Sequence, residues 1–227
     1  MLEVRDASFR KDGIKYRNVQ FNLSAGEAVA LIAPNGAGKT TLMRTVAGDA
    51  VADAQAVVTV DGMVIARRSK AARTSMFYAD SEHRLLYPAK TCAWHLACVK
   101  EIWDSPCDLE QVAKQCAVAP FIDKRVSQLS KGMAQRLTLA LACMSGAPYV
   151  LLDEPENGMD DDGRKLLSEV AQGLLERGCG LLVSTHDIFS VSHICTRALF
   201  LTKEGCVAAA DCADSSSLHA AYRKLFL

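Results

Sequence analysis

The chain opens on Leu2-Glu3-Val4-Arg5, where apolar and charged residues alternate, and a period of two predicts an edge strand. Ala28-Val29-Ala30-Leu31-Ile32 differs: five apolar residues in a row mark a strand buried on both faces. That run enters a glycine-rich turn, and Thr40 to Ala47 then reads as a helix. Val57-Val58-Thr59-Val60 followed by Asp61-Gly62 predicts a strand and a turn. From about Pro88 to Met144 strand signals are absent and the pattern is helical. Strands return at Tyr149–Leu152 and Leu181–Ser184, with a helix between them from about Gly163 to Glu176. Ala198–Thr202 and Val207–Ala210 flank Lys203-Glu204-Gly205-Cys206, a hairpin turn, and Ser217 to Leu227 reads as a short helix.

Strand–helix–strand alternation implies parallel pairing with right-handed crossovers. The expected fold is therefore α/β, with the helical middle inserted into the sheet. No internal repeat, low-complexity tract or linker is visible, which fits one unit with two lobes in a chain of 227 residues.

Composition narrows the function. Lys+Arg and Asp+Glu are both 26, so the net charge is zero, which argues against a generally basic nucleic-acid binder. Hydrophobic residues at 50% and charged residues at 23% suit a globular protein. A membrane-spanning helix needs about 20 mostly apolar residues. Leu137 to Leu152 comes nearest, but Thr138, Ser145, Gly146 and Pro148 interrupt it, so a buried helix, a turn and a buried strand are expected there. The N-terminal MLEVRDASFRKDG lacks the apolar core of a secretory signal. Nine cysteines form no C-x-x-C pair and no zinc-spaced cluster, as expected of reduced, small buried side chains.

The chemistry begins in the turn after the buried strand. Ala33-Pro34-Asn35-Gly36-Ala37-Gly38-Lys39-Thr40-Thr41 leaves a strand and opens a helix, the setting that a phosphate-binding loop requires. Glycines let successive N–H groups of Asn35, Gly36, Ala37, Gly38 and Thr41 converge on one anion. The helix N-terminus adds its dipole. Lys39 reaches the outer phosphates, and the Thr40 hydroxyl is a ligand for Mg²⁺. The usual pattern starts with glycine, and here Ala33 stands in its place. Tyr149-Val150-Leu151-Leu152-Asp153-Glu154-Pro155 is an apolar strand ending in two acids. Asp153 is the candidate Mg²⁺ holder, and Glu154, on the other side of the strand end, is the candidate base for a water.

A third motif decides the family resemblance. Leu129-Ser130-Lys131-Gly132-Met133-Ala134-Gln135-Arg136 resembles the LSGGQ-x-Q-R signature of ABC-type ATPases, the nucleotide-binding subunits of ATP-binding-cassette transporters. Asn157-Gly158-Met159-Asp160 resembles the family's D-loop, and Ser184-Thr185-His186-Asp187 its switch histidine. Motif order and spacing match from residue 2 to about 210. The resemblance implies a P-loop NTPase fold: a mostly parallel sheet core at about 1–80 and 145–227, an antiparallel β edge, and a helical subdomain at about 81–144. It implies two subunits, a homodimer or a heterodimer, meeting head to tail around two ATP molecules. Ser130 and Gly132 would then touch the γ-phosphate across the dimer, Asp160 would bridge the subunits, and His186 would contact the γ-phosphate. Catalytic roles fall to Glu154, His186 and Lys39.

The departures from the family pattern are also explicit. Lys131 and Met133 replace a Gly and a Gln of the signature. Aligning Ser75-Met76-Phe77-Tyr78-Ala79-Asp80 with the family's glutamine-bearing strand puts Asp80 at the glutamine, as a third Mg²⁺ candidate beside Thr40 and Asp153. Lys11 stands near the adenine-stacking aromatic, with Phe9 and Tyr16 as neighbouring substitutes. The turn Ala54-Gln55-Ala56 lacks the usual glycine. These departures leave open a regulatory half of a heterodimer. A soluble ABC ATPase and a nucleotide-binding regulator without turnover remain alternatives to the transport subunit. The resemblance places that subunit on the cytoplasmic face of the membrane, bound to a separate integral membrane permease through the groove near Asp80 to Lys90. It implies no nucleic-acid partner, and it leaves substrate and direction open.

Overall fold

Residues 1–49, 54–65, 69, 74–80, 82–186, 193–212 and 214–227 are described by a computed structural model of the chain. Two sheets organise it. The first is antiparallel: β1 (Leu2–Lys11), β2 (Ile14–Leu23), β4 (Gln55–Val60) and β5 (Met63–Val64), in the order β2-β1-β4-β5. The second holds β3 (Ala28–Ile32), β6 (Met76–Ala79), β7 (Tyr149–Asp153), β8 (Gly180–Thr185), β9 (Arg197–Thr202) and β10 (Gly205–Asp211), in the order β10-β9-β3-β8-β7-β6. All its pairings are parallel except the β9–β10 hairpin.

The expected edge strand at Leu2–Arg5 is not an edge. β1 runs ten residues and lies between β2 and β4. The alternation holds at Leu2 and Val4, slips at Asp6 (φ 50°), and resumes one residue out of phase with Ala7 and Phe9, all four being buried. The partner that makes β1 internal is β2, whose own alternation is broken. Val19, Phe21 and Leu23 keep the period of two, but Asn18 takes a positive φ of 54° and the register slips between Ala7↔Val19 and Phe9↔Tyr16. A bulge of this kind shifts which residues face inward, so Tyr16 joins the core out of phase.

The buried runs behave as the pattern predicts. Every residue of β3, β7 and β8 is buried, as strands covered on both faces require. Helices α1 (Lys39–Val46) and α5 (Asp161–Glu176) follow β3 and β7. Between β6 and β7 the chain forms α2 (Cys92–Trp103), α3 (Leu109–Gln115) and α4 (Lys131–Ser145). Thr91, Asp108 and Ser130 cap these three helices, each accepting the backbone N–H three residues on. Helix α4 ends at Gly146, whose φ of 60° suits a residue without a Cβ. A last helix, α6 (Ser215–Phe226), is capped by Asp214 and packs on the second sheet through Leu218 and the Phe200–Phe226 ring pair. Among the described residues no helix is long and apolar enough to cross a membrane. All nine cysteines are free thiols.

Strand order places the chemistry. β3 pairs with β8, and β8 with β7, with Ile32 opposite Thr185 and Asp153 opposite Ser184. The carboxyl ends of three neighbouring parallel strands therefore meet at one edge, where sheets of this type bind ligands.

Candidate active site

The glycine-rich turn is built on two left-handed residues, Gly36 at φ 79° and Gly38 at φ 85°. Gly38 is required twice over. A Cβ there would strain the backbone and would lie 2.5 Å from Cε2 of Phe9. Ala33 is fully buried and keeps a negative φ, so the residue only has to be small. Its carbonyl accepts a 3.0 Å bond from the Lys39 ammonium, and the Pro34 carbonyl accepts a second at 3.4 Å. Lys39 is itself buried at 4% exposure, so its charge is largely shielded from water.

That charge has a carboxylate partner. Lys39 Nζ lies 3.1 Å from Glu154 Oε1, and His186 Nδ1 lies 3.6 Å from the same oxygen. Asn157 donates its side-chain amide to Glu154 Oε2 at 2.5 Å. Glu154 sits in a left-handed conformation, φ 47°, held by its N–H donating to both the carbonyl and the hydroxyl of Ser184. Burial by itself pushes the Glu154 carboxyl up, but the Lys39 ammonium, the Asn157 amide and His186 together hold it below the usual carboxylate range.

Asp153 faces the other way. It is 1% exposed and accepts from the hydroxyls of Ser184 and, at 3.2 Å, Tyr78. No cation of the described residues lies within ion-pair distance of it. A buried carboxylate with two hydroxyl donors and no counter-charge is a fitting seat for a cation, which supplies that missing charge. Thr40, at the start of α1, offers the hydroxyl. Burial, then the carboxylates of Asp153 and Asp80, push the Tyr78 phenol up, so it stays a donor. Asp80 is drawn elsewhere: its Oδ1 accepts the Arg84 N–H at 3.0 Å, and Oδ2 pairs with the Arg84 guanidinium at 3.3 Å.

The signature residues form a second surface. Ser130 caps α4, its hydroxyl accepting the Met133 N–H at 3.2 Å, and so keeps its own proton for another acceptor. A Cβ on Gly132 would meet nothing within 4 Å, so the backbone there is open to approach. Ser130, Gly132 and Arg136 line a cavity of about 310 Å³ together with Gly158, Met159 and Asp160. Asp160 caps α5, accepting the Gly163 N–H at 2.8 Å. The stem of Lys131 lies over Gly158, where a Cβ would come within 2.8 Å of it.

A sequence model of the family described as "ABC transporter" matches residues 16–157, more than half of the chain and from the first sheet through both carboxylates. The chain belongs to the ABC transporter family. A Nod factor export ATP-binding protein I from Rhizobium sp. (strain N33) is 31% identical over 200 residues, which is 84% of this chain and 64% of the relative. A putative ABC transporter ATP-binding protein from Treponema denticola is 28% identical over 82% of this chain but 37% of its own length. This chain thus spans only part of these relatives. A cytochrome c biogenesis ATP-binding export protein from Hyphomonas neptunium is 29% identical, covering 80% of this chain and 86% of that protein. Among solved structures, an ATP-binding subunit of an ABC transporter superposes with a TM-score of 0.83 at 24% identity, over 98% of this chain and 94% of that one. A dimeric bacterial ABC transporter cassette does so with a TM-score of 0.77 at 19% identity, covering 91% and 96%. These two likenesses show the shared fold.

Within this ABC family fold, the structure brings Lys39, Glu154 and His186 together and puts Ser130, Gly132 and Asp160 on one cavity. It leaves Asp80 paired with Arg84. Asp187, the last residue of the switch motif, lies outside the described residues. Three supporting residues went unassigned in the sequence. The Ser184 and Tyr78 hydroxyls orient Asp153, and buried Gln135 donates to the Pro155 carbonyl at 2.7 Å, tying α4 to the carboxylate strand. Hydroxyls near the carboxyl ends of strands flanking an acid were the available signal for the first two. Gln135 carried none, because its partner is a backbone atom in another element.

Proposed function

We propose that the chain is the ATP-binding and ATP-hydrolysing subunit that powers transport through a separate integral membrane permease. It works as a single ABC-type ATPase domain, with a core at about 1–80 and 145–227 and a helical subdomain at about 81–144. The observation that carries this reading is the meeting of Lys39, Glu154 and His186 within 3.6 Å at the strand ends. A phosphate-binding cation and a carboxylate kept ionised are what hydrolysis of a phosphoanhydride needs side by side. ATP lies with its phosphates on Asn35 to Thr41. Thr40 and Asp153 would hold Mg²⁺, which would supply positive charge to offset that of the phosphates. Asp80, already paired with Arg84, stands at the rim as an outer ligand.

Glu154 accepts the proton of the attacking water, and its carboxylate form suits a base. Asn157 and Lys39 fix its two oxygens. His186 donates to the γ-phosphate, and Lys39 offsets the charge there. Two subunits, identical or different, close over two nucleotides. Ser130 donates its free proton to the partner's γ-phosphate, with Gly132 and the α4 N-terminus behind it. Asp160 reaches across the same interface. Closure removes water and completes the set.

The permease docks in the groove between the lobes. A cavity of about 360 Å³ there is lined by Asp80, Arg84, Leu85 and Trp103. Tyr87 at 62% exposure and Trp94 at 38%, in edge contact with each other, are exposed aromatics of the helical lobe that the permease can contact. The subunit works at the cytoplasmic face of the membrane, with no nucleic-acid partner. The export named for three relatives favours export here. The test is a pull-down of the tagged chain from detergent-solubilised native membranes. A co-purifying multi-span protein is expected, and recovery of soluble proteins alone would remove the membrane role.

A further inference from the structure

A cavity of about 550 Å³ opens beside the glycine-rich turn, and its walls include Pro34 to Ala37. The opposite walls come from three elements far away in sequence: Ile14 and Tyr16 of β2, Leu201 of β9, and Leu225 and Phe226 of α6. Those walls are fixed. The β1–β2 and β9–β10 hairpins are tied by the Arg17 N–H donating to the Lys203 carbonyl at 3.3 Å. They approach so closely that a Cβ on Gly205 would lie 2.9 Å from the Asn18 carbonyl oxygen. Phe226 is held by ring contacts with Phe200 at 6.1 Å and Tyr222 at 5.0 Å. Neither sequence neighbour of the missing aromatic offers a free ring face. Phe9 is 1% exposed beneath Gly38 and stacks on Tyr16 at 4.6 Å, leaving Tyr16 only 4% exposed. Ile14, by contrast, is 37% exposed at the cavity.

We infer that α6 supplies a wall of the nucleobase site, with Leu225 and Phe226 facing Ile14 across the base. The occupant follows from continuity. Asn35 to Ala37 border both the phosphate cradle and this cavity, so a nucleoside triphosphate seated on the cradle extends its base toward it. A purine has two apolar faces and a polar edge, and the cavity offers the apolar Ile14, Leu201, Leu225 and Phe226 together with the polar Asp12, Asn35, Thr202, Lys203 and Glu204. The size suits it, since small-molecule sites run to about 300–1,000 Å³. The edge is weakly read. The Thr202 hydroxyl already donates to the Gly205 carbonyl at 2.9 Å, and the Lys203 carbonyl is taken by Arg17. What remains for a base edge is the solvent-exposed side chains of Asp12, Asn35, Lys203 and Glu204. The site therefore grips purines by contact area and separates adenine from guanine poorly, with ATP and GTP affinities within about fivefold of each other.

This inference rests on the cradle assignment, and the experiment separates the two. Calorimetric binding of ATP and of inorganic tripolyphosphate, which lacks the base, is measured on the whole chain, wild type and variants. Phe226→Ala and Leu225→Ala are expected to weaken ATP by about 3–10-fold, the size of a lost ring or aliphatic contact. Tripolyphosphate affinity should stay within about twofold, because it touches only the cradle. Should Phe226→Ala fail to fold, Leu225→Ala, outside the ring cluster, carries the test. Unchanged ATP affinity in a folded variant overturns the wall, and so does an equal loss of tripolyphosphate. A wild-type chain that binds neither compound overturns the cradle itself.

Discussion

The Lys39 ammonium lies 3.1 Å from the Glu154 carboxylate, and this pair joins the helix after β3 to the end of β7. Among the described residues the next nearest ionisable partner of either is His186, 3.6 Å from the same Glu154 oxygen. The Lys39 ammonium therefore helps to hold the Glu154 carboxyl below the usual carboxylate range before any ligand arrives.

Replacement of the base follows directly. Glu154→Gln keeps the shape and the Asn157 contact but cannot take a proton. Turnover should fall by about 10²–10⁴-fold while ATP binding persists and an ATP-dependent dimer accumulates. Steady-state ATPase assays and size-exclusion chromatography with ATP check this. Wild-type turnover in the variant would remove Glu154 as the base.

The same carboxylate predicts a pH dependence. Its ionisation is held below the ordinary range in the folded chain, so its contribution to stability is complete above the unfolded value of about 4.3 and is lost as pH falls through the lowered folded value. The melting temperature of wild type relative to Glu154→Gln should be constant near neutrality and should converge in acid. A constant gap down to about pH 3 would show that the Lys39 contact does not lower the carboxyl.

Gly38→Ala should destabilise by about 1–2 kcal/mol from its left-handed backbone alone. The Phe9 ring adds a clash. Pairing it with Phe9→Leu should recover only the clash component, read by a denaturant-melt double-mutant cycle. Full recovery would mean that the backbone conformation costs nothing.

Gln135→Leu leaves the Pro155 carbonyl without its donor inside the core. A loss of about 1–3 kcal/mol is expected, larger than for an exposed helix position. Because the bond joins α4 to the carboxylate strand, ATPase rate should fall along with stability. A fall in stability with full ATPase rate would make Gln135 purely structural.

Asp80→Gln should alter stimulation of hydrolysis by the membrane partner more than the basal rate, since Asp80 lines the groove rather than the Lys39–Glu154 pair. ATPase assays in proteoliposomes and in detergent-free solution compare the two. Equal effects on both would separate Asp80 from coupling.

Much of this was readable along the chain because it is local. A glycine-rich turn between a buried strand and a helix, or two acids ending an apolar run, needs only neighbouring residues to be recognised. So do the caps Ser130 and Asp160, whose partners are three residues away. Those segments determine the parallel core and the functional groups each motif brings to the strand ends.

Tertiary structure alone decided what depends on partners distant in sequence. Whether β1 is an edge depends on β2, and the Asn18 bulge hid β2 from a period-two reading. The alignment puts Asp80 near the metal, and only the structure shows that both its oxygens also meet Arg84. Ala33 could be strained or merely small, and only its negative φ answers that. Phe226 has no motif to mark it, and it reaches the cavity beside the cradle because α6 folds back over β9. In each case the deciding quantity is a contact between elements, which the order of residues leaves free and the packing of the sheet fixes.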